Sequence, residues 1–395
     1  MTCKETMVSL AAVGLFGLTA TACGDDDKAA DCDSSQHACT WLGIPGEDGF
    51  NGDGHDRLAT MLYWSMDMTF TRDGTAWFID WNNHLVRKVT PDGKVSSVVG
   101  WSDPVFPGDG YAANPAAERT PAGAPGSELQ LNHPTDLYEL ADGSILLTAW
   151  HNHKLRKINP QTGQVTLIGG GGAGFAGDGN PVASALFKQP SHVAFDDQQN
   201  YYLLDQQNLR IRRIDGQTSM ITSVAGDGTQ GYAGDNGPAL QAKLNWKIGE
   251  NPEPSGGLAF KAGVLYIADT DNNRIRKLDL ATGIISAFAG TGTAGYSGDG
   301  GPAAQAALLH PRDLEIGPEG DLYVADTDNN SVRAIDLATG TIRTVVGTGE
   351  NGLDPDEGRL ATETKLSRPF GIDFDPQGNL FVSDSLNSRI LRVAR

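Results

Sequence analysis

Three aspartates and a histidine occupy one place in a recurring pattern. Asp67, Asp136, His192 and Asp313 each stand thirteen residues before an equivalent point of a repeated segment, and Gly371 holds that place in another copy. A turn shorter by one residue puts Gly257 there in the remaining copy. Carboxylates and an imidazole facing a shared channel could hold one divalent metal, calcium or zinc. Crowded carboxylates also raise one another's pKa, so the set could supply a general base. The alternative is local: each side chain faces channel water or accepts from a neighbouring backbone N–H. His133 and His310, each before a proline, are expected near the same rim.

These residues need elements to bring them together, and a repeat supplies them. Six segments align: AWFIDWNNHLVRKV from Ala76, ILLTAWHNHKLRKI from Ile145, YYLLDQQNLRIRRI from Tyr201, LYIADTDNNRIRKL from Leu265, LYVADTDNNSVRAI from Leu322 and LFVSDSLNSRILRV from Leu380. Each has an apolar β-rich run, a short turn and a second β run, the signature of a hairpin. The turn position is Asp80, Asp205, Asp269, Asp326 and Asp384, with Ala149 in the second copy. Asp and Asn suit such turns because they bond their own backbone and tolerate left-handed conformations. A third strand precedes each hairpin and a fourth follows most of them. Four antiparallel strands per repeat make a propeller blade. The last copy ends at Arg395 without its fourth strand, and Thr40–Gly43 matches the missing piece. The expected fold is therefore all-β: a six-bladed β-propeller over residues 40–395, closed by an N-terminal strand that completes the last blade. Closure removes exposed sheet edges.

The stretches ADTDNNRIRKL from Ala268 and AGTGTAGYSGDGGPAAQAALLHP from Ala289 resemble NHL-repeat propellers of the exported bacterial lipoprotein type. Two departures stand out: Ala149 replaces the repeat Asp, and Leu391 replaces the arginine otherwise found at Arg87, Arg156, Arg212, Arg276 and Arg333. Gluconolactonase-like and peptide-amidating-lyase-like propellers use a channel-mouth metal. No complete Glu-Asn-Asp set matches theirs here.

The first 22 residues read as a signal. Met7–Ala22 is an apolar run too short for a membrane span. The segment Ala20–Gly24 resembles a lipobox, which implies lipidation of Cys23; a plain cleavable signal is the alternative. Residues 23–39 read as a tether in which Cys32 and Cys39 could form a local disulfide in an oxidising compartment. The expected location is extracytoplasmic: anchored at the outer membrane or cell surface, or secreted.

Composition narrows the function further. The chain has 395 residues, 49 acidic and 30 basic, for a net charge of −19. That balance disfavours nucleic acid, which needs a Lys/Arg surface, and any membrane contact beyond a lipid anchor. The Gly-rich loops carry Asp53, Asp109, Asp178, Asp235 and Asp299, which would repel phosphate, so they read as architecture. The DTDNN turns lack the Gly and Glu of a calcium loop. The recurring arginines read as a structural salt-bridge ladder, and no nucleophile motif such as G-x-S-x-G is present. The expected function is a monomeric binding module for protein, peptide or glycan on its loop faces. The insert Trp101–Asn132, with Trp101, Phe106 and Tyr111, offers a contact surface, and Lys247–Ser255 is a second insert. A metal-dependent hydrolase or lyase at the channel mouth is the alternative.

Overall fold

A computed structural model describes residues 31–101, 117–249, 252–354 and 357–395. Cys23, Phe106, Asp109, Tyr111 and the signal segment lie outside the described residues. Among those described, strands dominate and the only helices are three-residue 3-10 turns. None is long and apolar enough to cross a membrane.

The six repeats form six antiparallel sheets, each with four main strands, in sequential order in five of them and with the N-terminal strand in the outer place of the sixth. The innermost strands are Ser65–Phe70, Pro134–Glu139, Pro190–Phe195, Leu258–Lys261, Pro311–Ile316 and Pro369–Phe374. The second strand of each blade is almost wholly buried, as in Ala76–Asp80 and Leu322–Asp326, because it is sandwiched between neighbouring blades. Such strands read as continuous apolar runs. The outermost strands are buried near their ends and more accessible in the middle, as in Val95–Val99. Apolar clusters fill the spaces between blades: Trp77, Ile79, Leu137 and Leu147 pack between the first two, and Tyr323, Val332, Ile372 and Val382 between the last two.

The ring closes through the N-terminal strand. His37–Gly43 pairs antiparallel with Arg389–Val393, in register Ala38 to Val393 and Gly43 to Arg389. This strand starts at His37, before Thr40, and it contains Cys39. The Cys32–Cys39 disulfide therefore ties the chain to the lip of the sixth blade and does not float in a tether. Across the closing seam, Ser385 Oγ donates to Ser65 O at 2.6 Å.

The Gly-rich loops run along the blade flanks and end in the 3-10 turns Val182–Ser184, Ala239–Gln241 and Ala303–Gln305. Close approach requires their glycines. Gly298 has φ +97°, and a Cβ there would lie 2.6 Å from Ala306 Cα.

Candidate functional site

The channel ring assembles as the spacing predicts in place, and its hydrogen bonds show what it does. Asp67 Oδ2 accepts from Leu137 N at 2.9 Å, Asp136 Oδ2 from Val193 N at 2.7 Å, and Asp313 Oδ2 from Ile372 N at 2.7 Å. Each carboxylate thus reaches the inner strand of the next blade and satisfies an amide that has no ladder partner on that side. His192 makes the corresponding reach, with Nε2 3.2 Å from Leu258 O. Its ring lies between two carboxylates: Nδ1 is 3.7 Å from Asp136 Oδ1 and Nε2 is 3.6 Å from Asp313 Oδ1. The glycines mark the tightest joints. A Cβ on Gly257 would sit 2.2 Å from Arg312 O, and one on Gly371 2.5 Å from Met66 O. Among the described residues, no three His, Cys, Asp or Glu side chains are disposed to share a metal ion.

Two further carboxylates face the same channel, and sequence spacing alone missed them. Glu315 and Asp373 lie two residues beyond the ring positions, on the same face of their strands. They occur in single copies, so no repeat announces them. With Asp67, Asp136, His192 and Asp313 they line a cavity of about 530 Å³ that opens past Tyr138, Phe195 and Phe260. Burial raises the pKa of all five carboxyls, and Asp373 is pushed up to about 7. Mutual repulsion adds to burial at Asp67, Asp136, Glu315 and Asp373.

At the other end the channel is nearly closed. A hollow of about 30 Å³ remains, bounded by Met66, Arg312, Phe370, the insert residues Pro254 and Ser255, and Gly256. That is room for about one water. The residues three before the ring positions form a collar around this narrow mouth: Trp64, His133, Gln189, Pro254, His310 and Arg368. All but Pro254 adopt left-handed backbone, with φ between 47° and 60°. One backbone frame thus presents five side chains of four types, and Pro254 completes the collar. Trp64 stacks on Trp81 with ring centroids 5.9 Å apart, and Trp81 packs on His133 at 4.2 Å. His310 and Arg368 share Asp328, at 2.5 and 2.8 Å.

The remaining conspicuous residues hold the blades. Asp80, Asp205, Asp269, Asp326 and Asp384 are fully buried. Asp269 shows the pattern: Oδ1 accepts from Asn245 N at 2.7 Å, Oδ2 accepts from Asn272 at 2.8 Å, and Arg276 lies 3.5 Å away. Burial pushes Asp205, Asp269 and Asp326 up to about 6. The arginines bind a second carboxylate from the Gly-rich loop: Arg87 to Asp53, Arg212 to Asp178, Arg276 to Asp235 and Arg333 to Asp299. A loop aromatic covers four of these guanidinium groups: Phe50, Phe175, Tyr232 and Tyr296. In the sixth blade Arg389 does the work that the repeat assigns to position 391, pairing with Asp384 at 2.8 Å. The turn histidines are also placed for backbone work. His84 Nδ1 accepts from His133 N, and His153 Nδ1 from Gln189 N, where Asn273 and Asn330 accept in later blades.

Comparison with known proteins agrees with this architecture. No protein-family model matches the chain. It is 28% identical over 262 residues to the Arabidopsis thaliana protein SUPPRESSOR OF QUENCHING 1, chloroplastic, covering 64% of this chain and 24% of that protein. It is 27% identical over 285 residues to human NHL repeat-containing protein 2, covering 66% and 37%. The chain thus spans well under half the length of these relatives. Among solved structures, a Bacteroides thetaiotaomicron structural-genomics protein superposes with TM-score 0.66 at 18% identity, over 91% of this chain and 75% of that one. An auxiliary nutrient binding protein from Bacteroides ovatus superposes with TM-score 0.63 at 14% identity, over 91% and 76%.

Proposed function

We propose that this six-bladed propeller, similar in sequence to NHL repeat-containing protein 2, is an extracytoplasmic binding module that recognises a protein, peptide or glycan on its narrow-mouth face. The observation that carries this reading is the collar, where equivalent backbone positions present Trp64, His133, Gln189, His310 and Arg368. Left-handed backbone costs a non-glycine residue roughly 1 kcal/mol or more. Strain kept at five equivalent positions that carry four different residue types suits recognition better than packing. The name of the Bacteroides ovatus neighbour, an auxiliary nutrient binding protein, fits this reading. An apolar leader, Cys23 and the Cys32–Cys39 pair support export with a lipid anchor. The test is binding of the mature protein to glycan and peptide arrays. Trp64→Ala and Arg368→Gln should each weaken a captured ligand at least tenfold, whereas Asp136→Asn should not. Loss on Asp136→Asn alone would move the site to the channel.

One observation favours a second reading. His192 lies within 4 Å of both Asp136 Oδ1 and Asp313 Oδ1. A small inward shift would let these three, with Asp67, hold a calcium or zinc ion and support hydrolase or lyase chemistry. Metal content by mass spectrometry decides it: about one ion per chain, lost in His192→Ala, is the required result.

A further inference from the structure

The second insert carries a carboxylate into the narrow mouth, where two arginines meet it. Glu253 Oε2 lies 2.7 Å from Arg312 Nη2 and 2.9 Å from Arg368 Nη2. Both guanidinium groups lie over the Phe370 ring, at 4.7 and 5.4 Å. Arg312 is only 6% exposed; its Nη1 is held by Pro254 O, and its Nε has no partner. Its side-chain counter-ion is therefore a half-exposed carboxylate on a connection that the other repeats lack. Arg368 is held on its other edge by Asp328 and sits at φ 49°. A buried cation with unused donor capacity, a second arginine beside it and an aromatic floor make a seat for a planar anion.

We propose that Arg312 and Arg368 form a carboxylate-binding seat, that Glu253 fills it as an internal stand-in, and that a carboxylate on the ligand displaces Glu253. This deepens the binding reading and rests on it, giving the narrow-mouth ligand at least one acidic group. Displacement exchanges one carboxylate for another, so the seat keeps its charge balance throughout. The insert then tunes affinity, because a tethered carboxylate competes at high effective concentration.

Malonate titrated at constant ionic strength into the mature protein, followed by calorimetry, tests the seat. Glu253→Ala should bind malonate saturably and gain thermal midpoint from it. Wild type should bind roughly 10- to 100-fold more weakly, since its own carboxylate competes. Glu253→Gln keeps the side-chain volume and an acceptor oxygen, and should also bind more tightly than wild type if Glu253→Ala fails to fold. Adding Arg368→Gln to either variant should abolish binding. Lack of saturable binding in both Glu253 variants, equal affinity in wild type, or binding that survives Arg368→Gln overturns the seat. Array ligands that lack any acid yet depend on Trp64 would overturn the seat and leave the binding module standing.

Discussion

At the residue scale, the channel carboxylates act first as inter-blade acceptors, and this separates their hydrogen bonds from their charge. Asp136→Asn can keep an oxygen for Val193 N, whereas Asp136→Ala leaves that buried amide unpaired. The alanine variant should lose about 1–3 kcal/mol in urea unfolding, and the asparagine variant much less. A larger loss for asparagine would show that the charge is needed, as the metal reading requires. The pH dependence follows from the same burial. A carboxyl whose folded pKa is raised binds its proton more tightly when folded. Its contribution is complete below the unfolded value and is lost as pH rises through the folded one. Asp373 moves from 3.8 to about 7, so the loss spans that window. Asp142, Asp215 and Asp328, lowered to about 2, act in the opposite sense only at more acid pH. Buried His133, also lowered to about 2, opposes the trend from its ordinary 6.5 downward but is outnumbered by Asp373 and the other raised carboxyls. The thermal midpoint should therefore be higher near pH 5 than near pH 8, and Asp373→Asn should flatten the difference. An unchanged slope in that variant would assign the effect to other carboxyls. Spacing exposed Asp67, Asp136, His192 and Asp313 because all four sit in the repeat. Glu315 and Asp373 were not legible because each occurs in a single copy, and the Glu253 contact was not because it joins an insert to distant strands that meet only in the closed ring.

At the element scale, the second blade shows how a broken repeat is repaired. Ala149 supplies no carboxylate, yet Arg156 is fully buried. Glu118, carried by the first insert and 1% exposed, pairs with Arg156 Nε at 2.7 Å and also binds Lys154. Asn152 Oδ1 takes the amide of Asn132 that an aspartate would have taken. The sequence marked Ala149 as a departure but gave no sign of its substitute, because Glu118 comes from outside the repeat. The missing arginine at 391 had the same kind of answer, since Arg389 lies on the same strand face two residues earlier. Removing one partner of a buried pair leaves the other uncompensated, so Glu118→Ala should cost about 3–5 kcal/mol. Restoring the repeat with Ala149→Asp in that background should recover part of the loss. Equal midpoints for the single and double variants in urea would mean that the Ala149 site cannot accept the carboxylate.

At the scale of the whole molecule, the fold depends on joining its two ends in one sheet. The periodic hairpins made six blades legible, and the likeness of Thr40–Gly43 to the fourth strands of other blades pointed to the N-terminal segment as the closing strand. The starting point at His37 was less legible, because polar residues around the disulfide obscure the β pattern. Two variants separate covalent from pairing contributions to closure. Replacing Cys32 and Cys39 by Ser opens a loop between residues seven apart, worth about 2 kcal/mol in chain entropy. The strand pairing of Ala38 with Val393 and Gly43 with Arg389 remains, so this variant should stay monomeric with a lowered midpoint. Deleting residues 31–43 removes the strand itself and leaves the outward-facing N–H and C=O groups of Arg389–Val393 without partners, while those facing Leu380–Asp384 stay paired. An exposed edge of that kind pairs with other chains. Light scattering should therefore find self-association in the deletion variant and not in the serine variant. A monomeric, fully folded deletion variant would mean that contacts between neighbouring blades close the ring without the N-terminal strand.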